Sequence, residues 1–166
     1  MVSINPSETA AENFHKKAEA YLAENKFEEA IASCELAIKI EENYFPPYKT
    51  LGNAWRAQGK LVEAENSYKK GLEIKSDWPE IYANLANLYA IQQKWQEAVS
   101  YYQKAVNLKP DFAGAYRNMV KVWLHLGNQK SATYCQYKAL LIEPEKATFE
   151  EIINLGKSLQ KQGSLN

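Results

Sequence analysis

The sequence predicts an all-α protein: a solenoid of tandem helix-turn-helix repeats with a C-terminal capping helix. Three observations support this prediction. The chain repeats itself every 34 residues, fixed columns of the repeat hold aromatic or small side chains, and turn-forming residues fall near the middle of each repeat. The repeats are 11–44, 45–78, 79–112 and 113–146, aligned without a gap within a single domain of residues 1–166. A generic antiparallel bundle has no reason to place alanine at one position of every unit, so the repeat is the better interpretation.

The first helix of each repeat is marked by large aromatic residues at repeat positions 4 and 11, counted from the repeat's first residue. Seven residues are close to two helical turns, so both rings lie on one face of the helix, which we expect to be buried. The aromatic residues are Phe14, Tyr48, Tyr82 and Tyr116 at position 4, and Tyr21, Trp55, Tyr89 and Trp123 at position 11.

The turn and the second helix follow from small residues and from helix-ending signals. Gly59 and Gly127, or the polar pairs Asn25-Lys26 and Gln93-Lys94, mark the turn inside each repeat. Position 20 is always alanine, which lets two helix axes approach closely; these residues are Ala30, Ala64, Ala98 and Ala132. The fourth repeat departs from the others, because Gln129 and Gln136 stand where large apolar residues are expected in its second helix.

Residues 147–166 repeat the pattern of a first helix, which predicts a truncated fifth repeat acting as a cap. Thr148 and Glu151 have the spacing of a capping box. We expect an apolar face to cover the fourth repeat, formed by Phe149, Ile152, Ile153 and Leu159. Because no second helix follows, the sequence also suggests the N-terminal piece of a longer protein.

The period and its columns resemble the tetratricopeptide repeat family over residues 11–146. The resemblance implies a right-handed α-solenoid whose first helices line a concave groove, and a protein-interaction scaffold that binds an extended peptide or a helix of a partner there. It also implies that the groove is lined by repeat positions 2, 5, 6, 9, 12 and 13. The implied peptide-binding residues are Lys49, Asn53, Arg56, Asn84, Asn87, Arg117, Asn118 and Lys121.

Four of these residues are asparagines in two shared columns. Asn84 and Asn118 occupy position 6, and Asn53 and Asn87 occupy position 9. An amide can pair with both the C=O and the N–H of an extended peptide, which is similar to the asparagine ladder in the repeat region of O-linked N-acetylglucosamine transferases. The alternative is that these asparagines are neutral surface residues. The four cations on the same face favour an acidic or phosphate-bearing partner.

A second ligand mode of the family, the two-carboxylate clamp for chaperone tails, requires lysine, arginine and asparagine at defined positions. The matching positions here are His15, Glu19, Thr50, Glu80 and Asn84. The clamp is therefore absent, and binding of chaperone tails is disfavoured.

Composition and motifs argue against other classes of function. Lysine plus arginine and aspartate plus glutamate both total 20, so no global field draws the chain to nucleic acid or to a membrane. The sequence has no phosphate loop, catalytic triad motif or metal-ligand spacing, so we expect no enzymatic activity, no cofactor and no metal. His15 and His125 are expected to face solvent, and Cys34 and Cys135 to be small buried residues. The default compartment is the cytoplasm.

Two further possibilities stay open at this point. An incomplete fifth repeat can leave apolar surface for another copy, which predicts a homo-oligomerisation module that stacks through its open C-terminal end. The chain also resembles bacterial repeat regions that precede a glycosyltransferase, sulfotransferase or methyltransferase domain, which implies a recruitment arm of a fused transferase.

Overall fold

The computed structural model describes residues 9–146 and 148–163, without the side chains of 149, 162 and 163. The regular structure in these ranges is helical. A single 3₁₀ turn, Pro144–Lys146, precedes the last helix. The helices are α1 (Ala10–Ala23), α2 (Phe27–Ile40), α3 (Pro46–Ala57), α4 (Leu61–Ile74), α5 (Pro79–Ile91), α6 (Trp95–Leu108), α7 (Ala113–His125), α8 (Gln129–Ile142) and α9 (Phe149–Gly163).

The turn inside each repeat contains one left-handed residue, which is the glycine or the first residue of the polar pair. Asn25 and Gln93 have a φ of 59°, Gly59 has 76° and Gly127 has 70°. This conformation lets the next N–H reach back to a carbonyl at the end of the first helix, as from Lys26 N to the Tyr21 oxygen at 2.8 Å. The predicted positions of the turns are confirmed.

The described residues form two compact units, one ending at Ile81 and the other beginning at Tyr82. Each is described by itself. The alanines at repeat position 20 are buried in both units, being at most 2% exposed. The first unit contains a core cluster that includes Ala18, Ile31 and Leu51, and the second buries Leu85 and Leu88 completely. The interior therefore contains the small alanines of position 20 together with larger apolar side chains.

Both cysteines are buried, as predicted. Burial raises the pKa of the Cys34 thiol to about 12 and that of Cys135 to about 11. Both thiols therefore stay protonated at neutral pH and act as small packing residues. None of the helices in the described ranges combines the length and the hydrophobicity of a membrane-spanning segment.

The prediction that both histidines face solvent is wrong for His15. His15 is 7% exposed, its Nε2 atom lies 3.0 Å from Oγ1 of Thr50, and its ring makes a T-shaped contact with the Tyr44 ring. The reason is that α3 packs against α1 and offers a hydroxyl partner that the sequence of α1 alone does not reveal. Burial holds the pKa of His15 below its usual range. His125 is exposed and stacks on Trp95 at 4.2 Å between ring centroids.

The capping box of α9 is confirmed. Glu151 N donates to Thr148 Oγ1 at 3.1 Å, and Thr148 N donates to the Glu151 carboxylate at 2.8 Å. Two glutamines of α8 connect to this helix. Gln136 Nε2 donates to the Glu151 carbonyl at 2.8 Å, and Gln129 Nε2 lies 3.5 Å from Ser158 Oγ. The polar residues that depart from the repeat pattern thus attach α9 to α8.

The expected apolar face of α9 does not cover the fourth repeat. Ile152 is 53% exposed, Leu159 is 50% exposed and Ile153 is also exposed, whereas Leu155 is half-buried. The side chain of Phe149 lies outside the described residues. Two hydrogen bonds from glutamines join α8 to α9, and no second helix of a fifth repeat lies among residues 148–163 to cover the apolar side.

Candidate functional site

The predicted peptide-binding residues lie on the first helices of the repeats, in two separate sets. In the first unit, α3 contains Lys49, Asn53 and Arg56. In the second unit, α5 and α7 contain the others, which are Asn84, Asn87, Arg117, Asn118 and Lys121.

In the first unit, the asparagine at position 9 is bonded to a buried tyrosine of the second helix. Tyr68 Oη donates to Asn53 Oδ1 at 2.7 Å, and the Tyr68 ring is fully buried. Burial raises the pKa of Tyr68 to about 12, against a smaller opposing effect of the neighbouring Arg56. The phenol therefore stays protonated and keeps donating this bond. Lys49 lies near the Trp78 ring, with Nζ 5.9 Å from its centroid.

The second unit repeats this pairing and extends it to the next repeat. Tyr102 Oη donates to Asn87 Oδ1, and Asn118 Nδ2 donates to the same oxygen at 2.9 Å. Tyr102 is 1% exposed, whereas both asparagines are half-buried. Asn84 lies one turn before Asn87 on α5 and is also half-buried. The structure thus brings Asn87 and Asn118 together.

The pairings change what the asparagines can offer a ligand. The side-chain oxygens of Asn53 and Asn87 already accept bonds from tyrosines inside the protein. A ladder that uses both the acceptor and the donors of every amide does not fit Asn87, because its oxygen already accepts two bonds and has no lone pair left for a peptide N–H. The role of these tyrosines was not predicted from the sequence, although Tyr68 and Tyr102 share position 24 of two successive repeats.

The fourth repeat has different residues in both columns, and a cavity of about 650 Å³ lies there between α7, α8 and α9. Gln136 replaces the tyrosine of position 24, and Lys121 replaces the asparagine of position 9. We call this space the α7–α9 cavity. Its charged lining residues are Arg117, Lys121, Glu151 and Lys157.

The charges around this cavity are only partly paired with one another. Arg117 Nη1 donates to the Glu143 carboxylate, which also accepts from Lys146 Nζ at 2.9 Å. Arg117 and Lys146 hold the pKa of Glu143 below its usual range. Arg117 Nη2 is buried and has no hydrogen-bond partner among the described residues. The Glu151 carboxylate caps α9, and its bond from the Thr148 N–H lowers the pKa of Glu151.

Family models for the tetratricopeptide repeat match three segments of the chain. They cover residues 11–44, 52–92 and 79–112, which together are more than half of its length. The matched segments coincide with the first repeat and the third repeat as aligned from the sequence, and they overlap most of the second. No curated protein sequence matches the chain.

Solved structures of similar fold include several tetratricopeptide proteins. MamA is 21% identical with a TM-score of 0.74, and the match covers 88% of this chain and 84% of MamA. PilF of Pseudomonas aeruginosa is 18% identical with a TM-score of 0.80, and the match covers 93% of this chain and 70% of PilF. A thermophilic TPR protein of Thermus thermophilus is 17% identical with a TM-score of 0.75, and the match covers 94% of this chain and 84% of that protein. At these identities the likeness shows the fold, and the family models together with the helix pairs place the chain in the tetratricopeptide repeat family of protein-interaction scaffolds.

Proposed function

We propose that the chain binds an extended segment of a partner polypeptide on the surface formed by α5 and α7 of its second unit. The observation that supports this most directly is the bond between Asn118 Nδ2 and Asn87 Oδ1, which joins two half-buried amides from successive repeats. Because the Asn87 oxygen already accepts two bonds, its Nδ2 group is the part of this amide that remains for a ligand. Arg117 and Lys121, which lie on the same helix as Asn118, also offer only donors.

A surface rich in donors suits the carbonyl oxygens of an extended peptide. Each such bond contributes a net ~0.5–1.5 kcal/mol, and ordering the peptide offsets part of this gain. We therefore expect dissociation constants in the micromolar range rather than the nanomolar range. Tetratricopeptide proteins are typically non-catalytic scaffolds, and the proposal assigns no reaction to the chain.

The proposal is tested by selecting peptides from a random library on the immobilised chain and measuring their binding by calorimetry. Replacing Asn84 and Asn118 together with alanine should weaken binding by about ten-fold or more, because two amide contacts are lost. The Asn87 oxygen keeps its bond from Tyr102 in this variant, so the fold should be retained and the circular dichroism spectrum unchanged.

The matched control is Asn107→Ala on α6, an exposed asparagine outside the α5–α7 surface. It should bind the selected peptides as the unaltered chain does. Equal binding by the double variant and by the control would exclude the α5–α7 surface as the site, and failure to select any peptide would remove the proposal altogether.

Self-association through the C-terminal end is a second candidate function, supported by the exposed apolar residues of α9. Ile152, Ile153 and Leu159 present a hydrophobic face on one helix, and a second copy could bury it. Light scattering over a concentration series should then show the mass of a dimer at high concentration, and Ile152→Asp should restore the monomer. A monomer at every concentration would rule out this function.

A further inference from the structure

The fourth repeat lacks the tyrosine–asparagine pair that is present in the second and third repeats. In the second and third repeats, position 24 is a tyrosine no more than 1% exposed, and its hydroxyl bonds the asparagine at position 9. In the fourth repeat these positions hold Gln136 and Lys121. The Gln136 amide bonds the Glu151 carbonyl of α9. The ring and its hydroxyl bond are therefore both missing at this position, and the α7–α9 cavity lies there.

The α7–α9 cavity has the size and composition of a binding site. Its volume of about 650 Å³ lies within the roughly 300–1,000 Å³ of ligand clefts. Val120, Leu124 and Leu140 supply apolar wall, while the cations come from α7 and α9. A ligand group with a short apolar stem and a charged end fits such a lining.

The charges of the lining favour an anion. The lining contains three cations, Arg117, Lys121 and Lys157, and one carboxylate, Glu151, which is already bonded to the N-terminus of α9. Glu143 occupies only Nη1 of Arg117, and the buried Nη2 has no acceptor among the described residues. Within the same ranges, Lys121 and Lys157 form no ion pair. A buried donor without a partner is costly, so a ligand acceptor placed at Nη2 gains a strong charge-assisted bond.

We propose that the α7–α9 cavity binds the carboxylate of an aspartate or glutamate side chain in the partner's peptide segment. Arg117 Nη2 is the principal donor, and Lys121 and Lys157 flank the bound carboxylate. This inference rests on the proposed function, since it places an acidic residue of the bound segment beside the α5–α7 surface. The apolar wall fits the methylene stem of an acidic side chain.

The test uses three short probes: N-acetyl-Glu-Leu-Glu-amide, the same peptide with glutamine at both outer positions, and the same peptide with phosphoserine there. Each is titrated into the isotope-labelled full chain, and chemical shifts are followed at the Arg117 side chain and at the backbone of α7, α8 and α9. The glutamate probe should saturate these shifts at a concentration at least about ten-fold lower than the glutamine probe, as expected for charge-assisted bonds. Equal saturation by both probes would overturn the inference, and so would a clear preference for the phosphoserine probe, which would assign the site to phosphate.

Variants then locate the contact. Arg117→Gln and the exposed Lys121→Gln should each reduce the difference between the glutamate and glutamine probes. Gln136→Tyr, which restores the ring found in the second and third repeats, should fill the cavity and weaken binding of the glutamate probe. Lys130→Gln, an exposed cation on α8 outside the lining, should change nothing. The inference is wrong if two results are found together. Lys121→Gln would have no more effect than Lys130→Gln, and Arg117→Gln, shown to be folded by circular dichroism, would still prefer the glutamate probe to the glutamine probe.

The library selection separates this inference from the proposed function. Selected peptides without enrichment of acidic residues would contradict the carboxylate site while leaving the α5–α7 surface in place. If the library yields no peptide at all, the proposed function is wrong, regardless of whether the short probes bind the cavity.

Discussion

Replacing Tyr102 with alanine should lower the free energy of unfolding by about 3–5 kcal/mol, the cost of emptying a buried aromatic position. The Tyr102 ring is 1% exposed, and its hydroxyl bonds Asn87. Removing it leaves a space that the rigid helix pair cannot close by relaxation, and it also removes the bond that orients Asn87. Denaturation with urea, followed by circular dichroism, measures the change.

The matched control for this position is Tyr102→Phe. The ring remains and only the hydroxyl is lost, so we expect a cost of about 0.5–1.5 kcal/mol. The Asn87 oxygen is not left unpaired, because Asn118 Nδ2 still lies 2.9 Å away. If alanine were no more harmful than phenylalanine, the ring would not be a packing element of the second unit.

Replacing Gly52 with alanine should also destabilise the protein, although alanine is the better helix former. A Cβ atom at Gly52 would lie 2.4 Å from Cε1 of Tyr68. The Tyr68 ring has little freedom to move, because it is fully buried and its hydroxyl is bonded to Asn53 at 2.7 Å. Overpacking costs ~1–3 kcal/mol and at so short a distance exceeds the ~1 kcal/mol gained from helix propensity.

The control for Gly52 is Gly114→Ala on α7. A Cβ there meets nothing closer than Cε2 of Phe112 at 3.7 Å, which is an ordinary contact. We expect this variant to match or exceed the unaltered chain in stability, since only the propensity gain remains. Thermal unfolding of both variants in parallel distinguishes the effects, and a higher melting temperature for Gly52→Ala would contradict the close packing of α3 on Tyr68.

The sequence predicts those features of the fold that are determined by residues of a single helix or turn. The left-handed turns at Gly59 and Gly127 and the buried alanines at position 20 follow from local conformation and from spacing along one helix. The resemblance to the family also places the site residues on the first helices, where the structure has them. That a partner binds at these residues stays a prediction.

What the sequence could not provide depends on contacts between helices. His15 of α1 is buried and lies within hydrogen-bond distance of Thr50 on α3. The oxygen of Asn87 accepts a hydrogen bond from Tyr102 of α6. The apolar residues of α9 have the periodicity of a covered face, but coverage depends on which neighbour is present, and periodicity does not specify that. The structure leaves Ile152 and Leu159 half-exposed.

The most direct test of a binding surface on α5 and α7 is the chemical-shift map of the full chain with a peptide selected from the library. We expect the largest changes at the side-chain NH₂ groups of Asn87 and Asn118 and along the backbone of α5 and α7. Tyr134 and Tyr137, exposed on α8, should be unaffected. Changes centred on those two tyrosines, with both asparagines unperturbed, would contradict the proposed surface.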